Sequence, residues 1–207
     1  MSIDIMGRTP VNKKRVTNKA KQDEIAHRLG QVFFEHGFSN TSTEELCDIA
    51  KKSKATIYKY FQSKEEIITY ITNEKLSEIE RFQVFLFAEE LSFSERYKKA
   101  VMLVIEAFEG ISHYFLTDLK NDYPELFEAL ATLKNFSIAL LEDFYAKGVK
   151  AGAFRNIDPK LLAANDDLFF TAILETEFLS DKSFSIHELF ESYFNARFKG
   201  ILKNNSK

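Results

Sequence analysis

The sequence is poor in the residues that break helices, form disulfides or bind metals. Its 207 residues include seven Gly, three Pro, one Cys and no Trp. Turns consume Gly and Pro, so this scarcity argues against a protein built from many strands and turns and favours long helices. Because Cys47 is the only cysteine, the sequence excludes an intrachain disulfide and a thiolate zinc site, and it is typical of a reducing compartment.

Long hydrophobic runs are also missing. Met1–Pro10 lacks the apolar stretch of a signal peptide, and later apolar runs such as Val101–Ile105 are interrupted by charged residues. Hydrophobic residues nevertheless make up 45% of the chain and charged residues 29%, which is enough for a packed core. These features predict a folded cytoplasmic protein that does not enter a membrane.

The residue patterns of common enzymes and metal sites are absent from the sequence. The four histidines lie in different segments, at positions 27, 36, 113 and 187, and there is no glycine-rich phosphate loop and no Gly-x-Ser-x-Gly elbow. The pairs Asp166-Asp167 and Glu65-Glu66 are adjacent, so the two carboxylates of each pair point to different faces of a helix. We therefore expect no enzymatic activity, no cofactor and no bound metal.

Charge is distributed unevenly along the chain. The net charge of −3 conceals a basic N-terminal part, since residues 1–64 carry 12 Lys and Arg against 7 Asp and Glu, while the remainder carries 16 against 24. A basic head on an acidic body indicates that only the head meets a polyanion. Charge alone leaves a chance fluctuation as an equal alternative.

Helical periodicity begins at Lys19 and is interrupted by two short polar segments. One apolar stripe runs from Ile25 to Phe33, and Gly37 is placed to end that helix. The polar segment 39–45 favours a turn and a helix N-cap. Two short helices follow, with Leu46, Ile49 and Ala50 buried in the first and Ile57 and Phe61 in the second. Two short helices joined by a tight turn after a supporting helix predict a helix-turn-helix at about residues 43–61.

The rest of the chain also has a helical pattern. Ser63 and Glu66 form the sequence of a capping box, and an apolar stripe continues from there to Leu86, which predicts one long helix. Further helices are predicted near 94–110, 112–121, 124–149, 159–179 and 186–203. The predicted fold is all-α. It has a basic arm at 1–18, a three-helix helix-turn-helix DNA-binding domain at 19–64, and a helical body at 65–207 that the long helix joins to the head.

The head resembles the tetracycline-repressor (TetR) family of bacterial regulators. His36-Gly37-Phe38 through Thr41-Ser42-Thr43 is similar to the opening of that family's motif. The run from Ser53 to Phe61, followed by Lys64-Glu65-Glu66-Ile67, is similar to its recognition helix and the cap after it. The likeness runs without a gap from Ile25 to Ile71. Beyond Ile71, the chain resembles the family only in its length and its all-helical character.

The resemblance implies a set of DNA contacts in the head. An N-terminal arm and the second short helix would meet phosphates and base edges in successive grooves. For the arm, two interpretations remain equal: its basic side chains contact DNA, or they only face solvent. The candidate DNA-binding residues are Lys14, Arg15, Thr43, Lys52, Ser53, Lys54, Ala55, Thr56, Tyr58, Lys59, Tyr60 and Lys64.

One tripeptide departs from the family pattern. Ala50-Lys51-Lys52 stands where the family has Ala-Gly-Val. Lys51 therefore occupies a glycine position, which would strain the backbone by about 1 kcal/mol if its φ angle is positive. Lys52 replaces an apolar residue that would help to hold the second short helix, and both lysines add cations near the expected phosphate surface.

For the body, the resemblance implies an effector pocket and a dimer interface. Seventeen of the 21 Phe lie after residue 64, where they either form a solid core or line an aromatic cavity. The candidate effector-binding residues are Phe108, His113, Phe115, Phe136, Tyr145, Phe170 and Glu175. The candidate dimer residues are Leu161, Leu168, Ala172, Phe190, Phe194, Phe198 and Ile201, although the stripes they form would also fit packing within one subunit.

The function implied is sequence-specific regulation of transcription. A homodimer would bind a pseudo-palindromic double-stranded DNA operator as a repressor, and a small apolar effector would release it. The alternative is a helix-turn-helix protein that binds DNA and acts through protein–protein contacts, without an effector. An internal cavity would favour the first reading.

Overall fold

The computed structural model describes residues 18–175 and 184–202, and over these ranges the chain is all-α. In the N-terminal half the helices are α1 Lys19–His36, α2 Thr43–Ala50, α3 Lys54–Tyr60, α4 Lys64–Glu80, α5 Phe82–Leu86 and α6 Phe93–Ala107. They are followed by α7 His113–Asp122, α8 Pro124–Lys150, α9 Pro159–Leu174 and α10 Ile186–Ile201. None of the helices in these ranges is long and apolar enough to cross a membrane.

Helices α1 to α3 form a small head around one apolar centre. Leu29 and Phe33 of α1, Leu46 of α2, and Ile57 and Phe61 at α3 are all essentially inaccessible to solvent. These are the apolar positions of the sequence stripes, so the predicted helix-turn-helix is confirmed in place and in orientation. Burying five such side chains stabilises the head by roughly 1.5–3 kcal/mol each before the entropy cost is counted.

The long helix predicted from Ser63 is interrupted. Ser63 caps α4, since its hydroxyl accepts from the amide of Glu66 at 3.1 Å, and the Glu66 carboxylate accepts from the Gln62 amide. The helix ends at Glu80, and Arg81 leads into the short helix α5. The apolar stripe continues across this break because Phe82 and Leu86 are buried against the same core as Ile79.

The body is formed by the helices that follow α4. Helices α8 and α9 make the most extensive helix pair, and α6 packs on α4, α5 and α10. The predicted bounds of α6, α7 and α8 differ from those observed by up to three residues at an end. The helix predicted over 159–179 ends at Leu174, and Glu175 has an extended backbone. Residues 176–179 of that prediction lie outside the described ranges.

Candidate DNA interface and effector cavity

The turn of the helix-turn-helix is built on a lysine with a left-handed backbone. Lys51 has φ 51° and ψ 44°, and it is the one non-glycine residue with positive φ in the described ranges. This conformation is less favourable by about 1 kcal/mol for a residue with a Cβ than for glycine. The strain expected from the Ala-Lys-Lys departure is therefore present, and the turn keeps the geometry that a glycine would give it.

Side-chain caps define where each short helix starts. The Ser42 hydroxyl accepts from the Glu45 amide, and the Glu45 carboxylate accepts from the Ser42 amide at 2.7 Å, which completes a capping box at α2. These hydrogen bonds lower the pKa of Glu45 below its ordinary value. At α3, Ser53 accepts from the Thr56 amide at 3.2 Å and its hydroxyl lies 2.9 Å from the Thr56 hydroxyl. Ser53 is therefore an N-cap as well as a candidate DNA contact.

The outer face of α3 presents most of the predicted recognition residues. Lys54, Ala55 and Lys59 are exposed, and Thr56 and Tyr58 are half-buried at the edge of that face. Tyr60 is different, because only 8% of it is accessible and its ring belongs to the head core. Tyr60 was predicted on the exposed side, so this expectation was wrong. It packs inward because it lies three residues after Ile57 on the helix.

Two predicted phosphate-binding lysines make contacts within the protein instead. The Lys52 ammonium lies 3.1 Å from the Glu24 carboxylate of α1. The Lys64 ammonium donates to the carbonyl oxygens of Phe38 at 2.5 Å and Thr41 at 2.9 Å. Lys64 was predicted to contact DNA, but its ammonium is bonded to these carbonyl groups within the head. Burial lowers the pKa of Lys64, and nearby carboxylates oppose that shift.

The other predicted DNA contacts are Thr43, Lys14 and Arg15. Thr43 is the first residue of α2 and is half-buried. Lys14 and Arg15 in the basic arm lie outside the described residues. Sequence reasoning missed the carboxylate of Asp118 in α7, which accepts from the amides of Phe38 and Ser39 just before α2. No local signal marks Asp118, since its partners lie 79 and 80 residues away in sequence.

An apolar cavity of about 60 Å³ lies inside the body. Its wall comes from six helices, including α4, which also carries the head, and α6, where Ala100 and Val104 face it. Lys134 and Ser137 of α8 bring polar groups to the wall, but both are already bonded. The Lys134 ammonium lies 2.6 Å from Asp167, and the Ser137 hydroxyl donates to the Leu133 carbonyl. The cavity therefore suits an apolar ligand and would have to widen to admit a drug-sized one.

Two of the seven predicted effector residues, Phe108 and Phe170, line this cavity. The other five lie elsewhere. Phe115 is buried at the junction of α7 with the head, where its ring packs against Phe34 and Phe38. Tyr145 is fully buried in a polar cluster. His113 is half-buried at the start of α7, while Phe136 and Glu175 are exposed. Most of the missed wall residues lie on α6 and α8, and their apolar members have the same spacing as ordinary core.

A buried polar cluster joins α6, α8, α9 and α10 beside the cavity. Asp166 has no accessible surface, and its carboxylate accepts from the hydroxyls of Tyr145 at 2.7 Å and Tyr193 at 2.6 Å. The Arg197 guanidinium lies 3.1 Å from the same carboxylate. Burial raises the pKa of Asp166, and Arg197 and the two hydroxyls oppose that shift. The expectation that Asp166 and Asp167 point to different faces is confirmed, because Asp167 is partly exposed.

The predicted dimer residues separate into two groups. Leu161 and Leu168 on α9 are 62% and 69% exposed, seven residues apart on one face of the helix. Ala172 and Phe198 are half-buried. Phe190, Phe194 and Ile201 of α10 are buried in the core of their own protomer, so their side chains are not available to a partner. The apolar stripe of α10 therefore serves packing within the subunit, which was the alternative reading of that stripe.

Residues 23–71, which include α2, the Lys51 turn and α3, match the family model of bacterial regulatory proteins of the tetR family. The head of the chain is therefore a DNA-binding domain of the TetR type. YhgD of Bacillus subtilis (strain 168), an uncharacterized HTH-type transcriptional regulator, is 23% identical over 144 residues, which is 67% of this chain and 74% of YhgD.

Solved structures of TetR-family proteins share the fold. The TetR-family regulator PfmR from Thermus thermophilus superposes with a TM-score of 0.61 at 22% identity, covering 86% of this chain and 99% of PfmR. The reduced form of NemR from E. coli gives 0.64 at 17% identity, covering 91% of this chain and 100% of NemR. The matched family model and the two curated relatives are described as regulatory proteins, so the comparisons indicate DNA-binding regulation of transcription for this chain. Ligand binding and homodimerisation are typical of the family.

Proposed function

We propose that this protein is a cytoplasmic TetR-family repressor whose operator complex is released when a small, neutral, apolar molecule occupies the cavity of the body. The observation that supports this is the cavity itself, because Ile79 of α4 and Phe108 at the end of α6 both contribute to its wall. Helix α4 starts in the head at Lys64, and the chain after Phe108 leads directly into α7, which contacts the head. A ligand that widens the cavity displaces two elements joined to the DNA-binding domain.

The head supplies the DNA-reading surface. Lys54 and Lys59 are exposed on α3, and Thr56 and Tyr58 stand beside them. We place this face in the major groove, with Ser53, Ala55 and Thr43 at its N-terminal edge. Lys52 and Lys64 are left out of the proposed contact set because their ammonium groups are bonded within the head.

Release by a ligand requires that the ligand bind one conformation better than the other. The cavity of about 60 Å³ is narrow in the conformation described here, so occupancy favours a wider form. We assign the narrow form to the operator complex and the widened form to the released protein. A protein that acts only through protein contacts would show no such coupling.

Selection of bound duplexes from a random DNA pool, at low and moderate salt, identifies the operator. The complex is then titrated with neutral apolar probes, namely C6–C12 primary alcohols and single-ring aromatic hydrocarbons, while fluorescence anisotropy and melting are recorded. We expect at least one probe to release DNA and raise the melting temperature of the free protein. The Ala100→Val variant, whose added methyl groups enter the cavity, is expected to lose that response while keeping operator affinity. An operator complex insensitive to every probe, with no probe changing the melting temperature, would favour the protein-contact alternative.

The exposed leucines of α9 indicate how two heads are joined. Exposed side chains of this size seven residues apart on one helix face are typical of a helix–helix interface. We propose that this face of α9 pairs with its two-fold mate, so that the dimer reads two half-sites of a pseudo-palindrome.

Introducing charge on this face is expected to separate the dimer. The double substitution Leu161→Glu and Leu168→Glu places like charges opposite one another across a two-fold axis. Because one or two such contacts are unfavourable, self-association should weaken by at least about tenfold. Sedimentation velocity over a concentration series measures the effect. Val84→Glu, which alters a side chain 64% exposed on α5, is the matched control and should leave the mass unchanged. A double variant that sediments like the unaltered protein would remove α9 from the interface.

A further inference from the structure

The loop that joins α1 to α2 is held by opposite charges from two sides. From α4, the Lys64 ammonium donates to the carbonyl oxygens of Phe38 and Thr41. From α7, one oxygen of the Asp118 carboxylate accepts from the amides of Phe38 at 2.5 Å and Ser39 at 2.8 Å. We call this set of bonds the loop clamp. It fixes the backbone immediately before Ser42, the residue that caps α2 of the helix-turn-helix.

The packing around the clamp leaves it little freedom. Gly37 has φ 77°, and a Cβ at that position would lie 2.5 Å from the same Asp118 oxygen. The Phe38 ring is buried against Phe115 of α7 and Tyr123 just after it, with ring centres 5.7 and 5.5 Å away. The loop therefore follows α7, because a shift of α7 would move the ring contacts and the Asp118 carboxylate together.

The other end of α7 is tied to the cavity. Phe108, in the cavity wall at the end of α6, stacks on Phe190 of α10 with ring centres 4.5 Å apart. Four residues later, the amide of Ser112, the cap of α7, donates to the Phe34 carbonyl of α1 at 2.8 Å. Helix α7 is thus bonded to the DNA-binding head at its N-terminus and again at Asp118, and a four-residue connection joins it to Phe108 in the cavity wall.

We infer that Asp118 is a positioning residue for operator recognition, through which the location of α7 controls the start of α2. With the clamp closed, α2 and α3 keep the orientation that fits the groove. With the clamp open, the head samples orientations that do not fit, and the apparent affinity falls in proportion to the closed fraction. This inference extends the DNA-binding function and does not require that a small molecule fill the cavity.

Simple electrostatics predicts the opposite effect. Asp118 is an anion in the part of the protein that approaches DNA, so its neutralisation alone would strengthen binding to any duplex. The clamp predicts weaker operator binding after the same neutralisation. The sign of the change therefore separates a positioning role from a general charge effect.

The test compares Asp118→Asn, which removes the charge at constant size, with Asp118→Glu, which keeps the charge and moves it outward by one methylene. Glu125→Gln in the exposed first turn of α8 is the charge-matched control for Asp118→Asn. Affinities are measured for the duplex that the unaltered protein enriches from a random pool, and for a mixed-sequence duplex. We expect both Asp118 variants to bind the enriched duplex about tenfold more weakly, the loss that follows when the closed fraction falls to about one tenth. Glu125→Gln should bind it as tightly as the unaltered protein, or slightly more tightly.

Amide hydrogen exchange supplies a readout that does not depend on an operator. In both Asp118 variants, the amides of Phe38 and Ser39 and the first turn of α2 should exchange faster, while those of α8 and α9 keep their protection. Should Asp118→Asn fail to fold, Asp118→Glu carries the same comparison. The inference is overturned if the folded variants bind the enriched duplex as tightly as Glu125→Gln does. It is also overturned if exchange in the loop is unchanged. Loss of protection throughout α8 and α9 would show general destabilisation and count against a positioning role.

Discussion

Replacing Lys54 and Lys59 together by alanine is expected to abolish measurable operator binding, with a loss of at least about 100-fold, while the fold is unchanged. A well-placed contact to a base edge contributes about 1–3 kcal/mol, and each phosphate contact adds a salt-dependent term. In the proposed dimer each lysine is present twice, so the double substitution removes four cations from the DNA interface. The expected loss is therefore large even if each contact is at the weak end of that range.

The surroundings of these two lysines explain why they are the most sensitive positions. Both are exposed on α3, and neither ammonium pairs with a carboxylate in the part of the chain that the structure describes. Lys59 lies over the ring of its neighbour Tyr60, 5.9 Å from its centre, which orients the side chain without neutralising it. Lys52, by contrast, is bonded to Glu24.

The measurement is a binding isotherm on the enriched duplex at several salt concentrations. The magnitude of the slope of log K against log salt should fall by about 0.9 for each phosphate that the variant no longer neutralises. The control is Lys120→Ala with Lys150→Ala, which removes the same charge from exposed positions of α7 and α8. Equal losses in the two double variants would mean that net charge, and not α3, governs binding.

Substitution of Asp166 by alanine is expected to cost about 3–5 kcal/mol of unfolding free energy, the usual penalty for removing one partner of a buried ion pair. Asp166 is fully buried, and Arg197, 11% exposed, is its ionic partner. Removing the carboxylate leaves the guanidinium uncompensated and deprives the hydroxyls of Tyr145 and Tyr193 of their acceptor. A loss of this size is a large part of the stability of an ordinary domain.

The neighbouring aspartate provides the control. Asp167 also pairs with a cation, Lys134, at 2.6 Å, but its side chain is 45% exposed. Asp167→Ala should therefore cost no more than about 1 kcal/mol, because water replaces most of the lost interaction. Both variants are compared by urea unfolding at one protein concentration, since dimer stability depends on concentration. Similar losses for the two substitutions would contradict the assignment of a buried ionic cluster.

Asp166→Asn separates charge from hydrogen bonding at this site. The amide keeps an acceptor oxygen but not the negative charge that faces Arg197. We expect its loss of unfolding free energy to lie between those of Asp166→Ala and Asp167→Ala. Circular dichroism should show unchanged helix content.

The elements of the head were predictable because they depend on local chemistry. The spacing of Leu29, Phe33, Leu46 and Ile57 marks the buried faces, and serine caps mark the helix starts. Strain at Lys51 was expected on the condition that its φ angle is positive, because the family that the head resembles has glycine there, and the observed φ of 51° meets that condition. The exposure of Tyr60 was mispredicted, although its position three residues after Ile57 places it on the buried face of α3.

The bonding of charged side chains could not be read from the sequence. Lys64 was a reasonable phosphate ligand by position, yet its ammonium is enclosed by carbonyl groups of a loop 23 to 26 residues earlier. The anion on the other side of that loop comes from α7, about 80 residues later. Such partners meet only when the head docks on the body.

Helical periodicity, capping and turn conformation depend on residues within a few positions of one another, so the all-α architecture, the helix-turn-helix and the likeness of the head to the TetR family could be predicted from the sequence. Which aromatic residues line the cavity, and which apolar stripe stays exposed on α9, depends on how the helices pack in three dimensions. The tertiary structure also decided that Asp118 and Lys64 hold the loop before α2. Core, cavity and interface positions have the same helical spacing, and they differ only in what the rest of the fold packs against them.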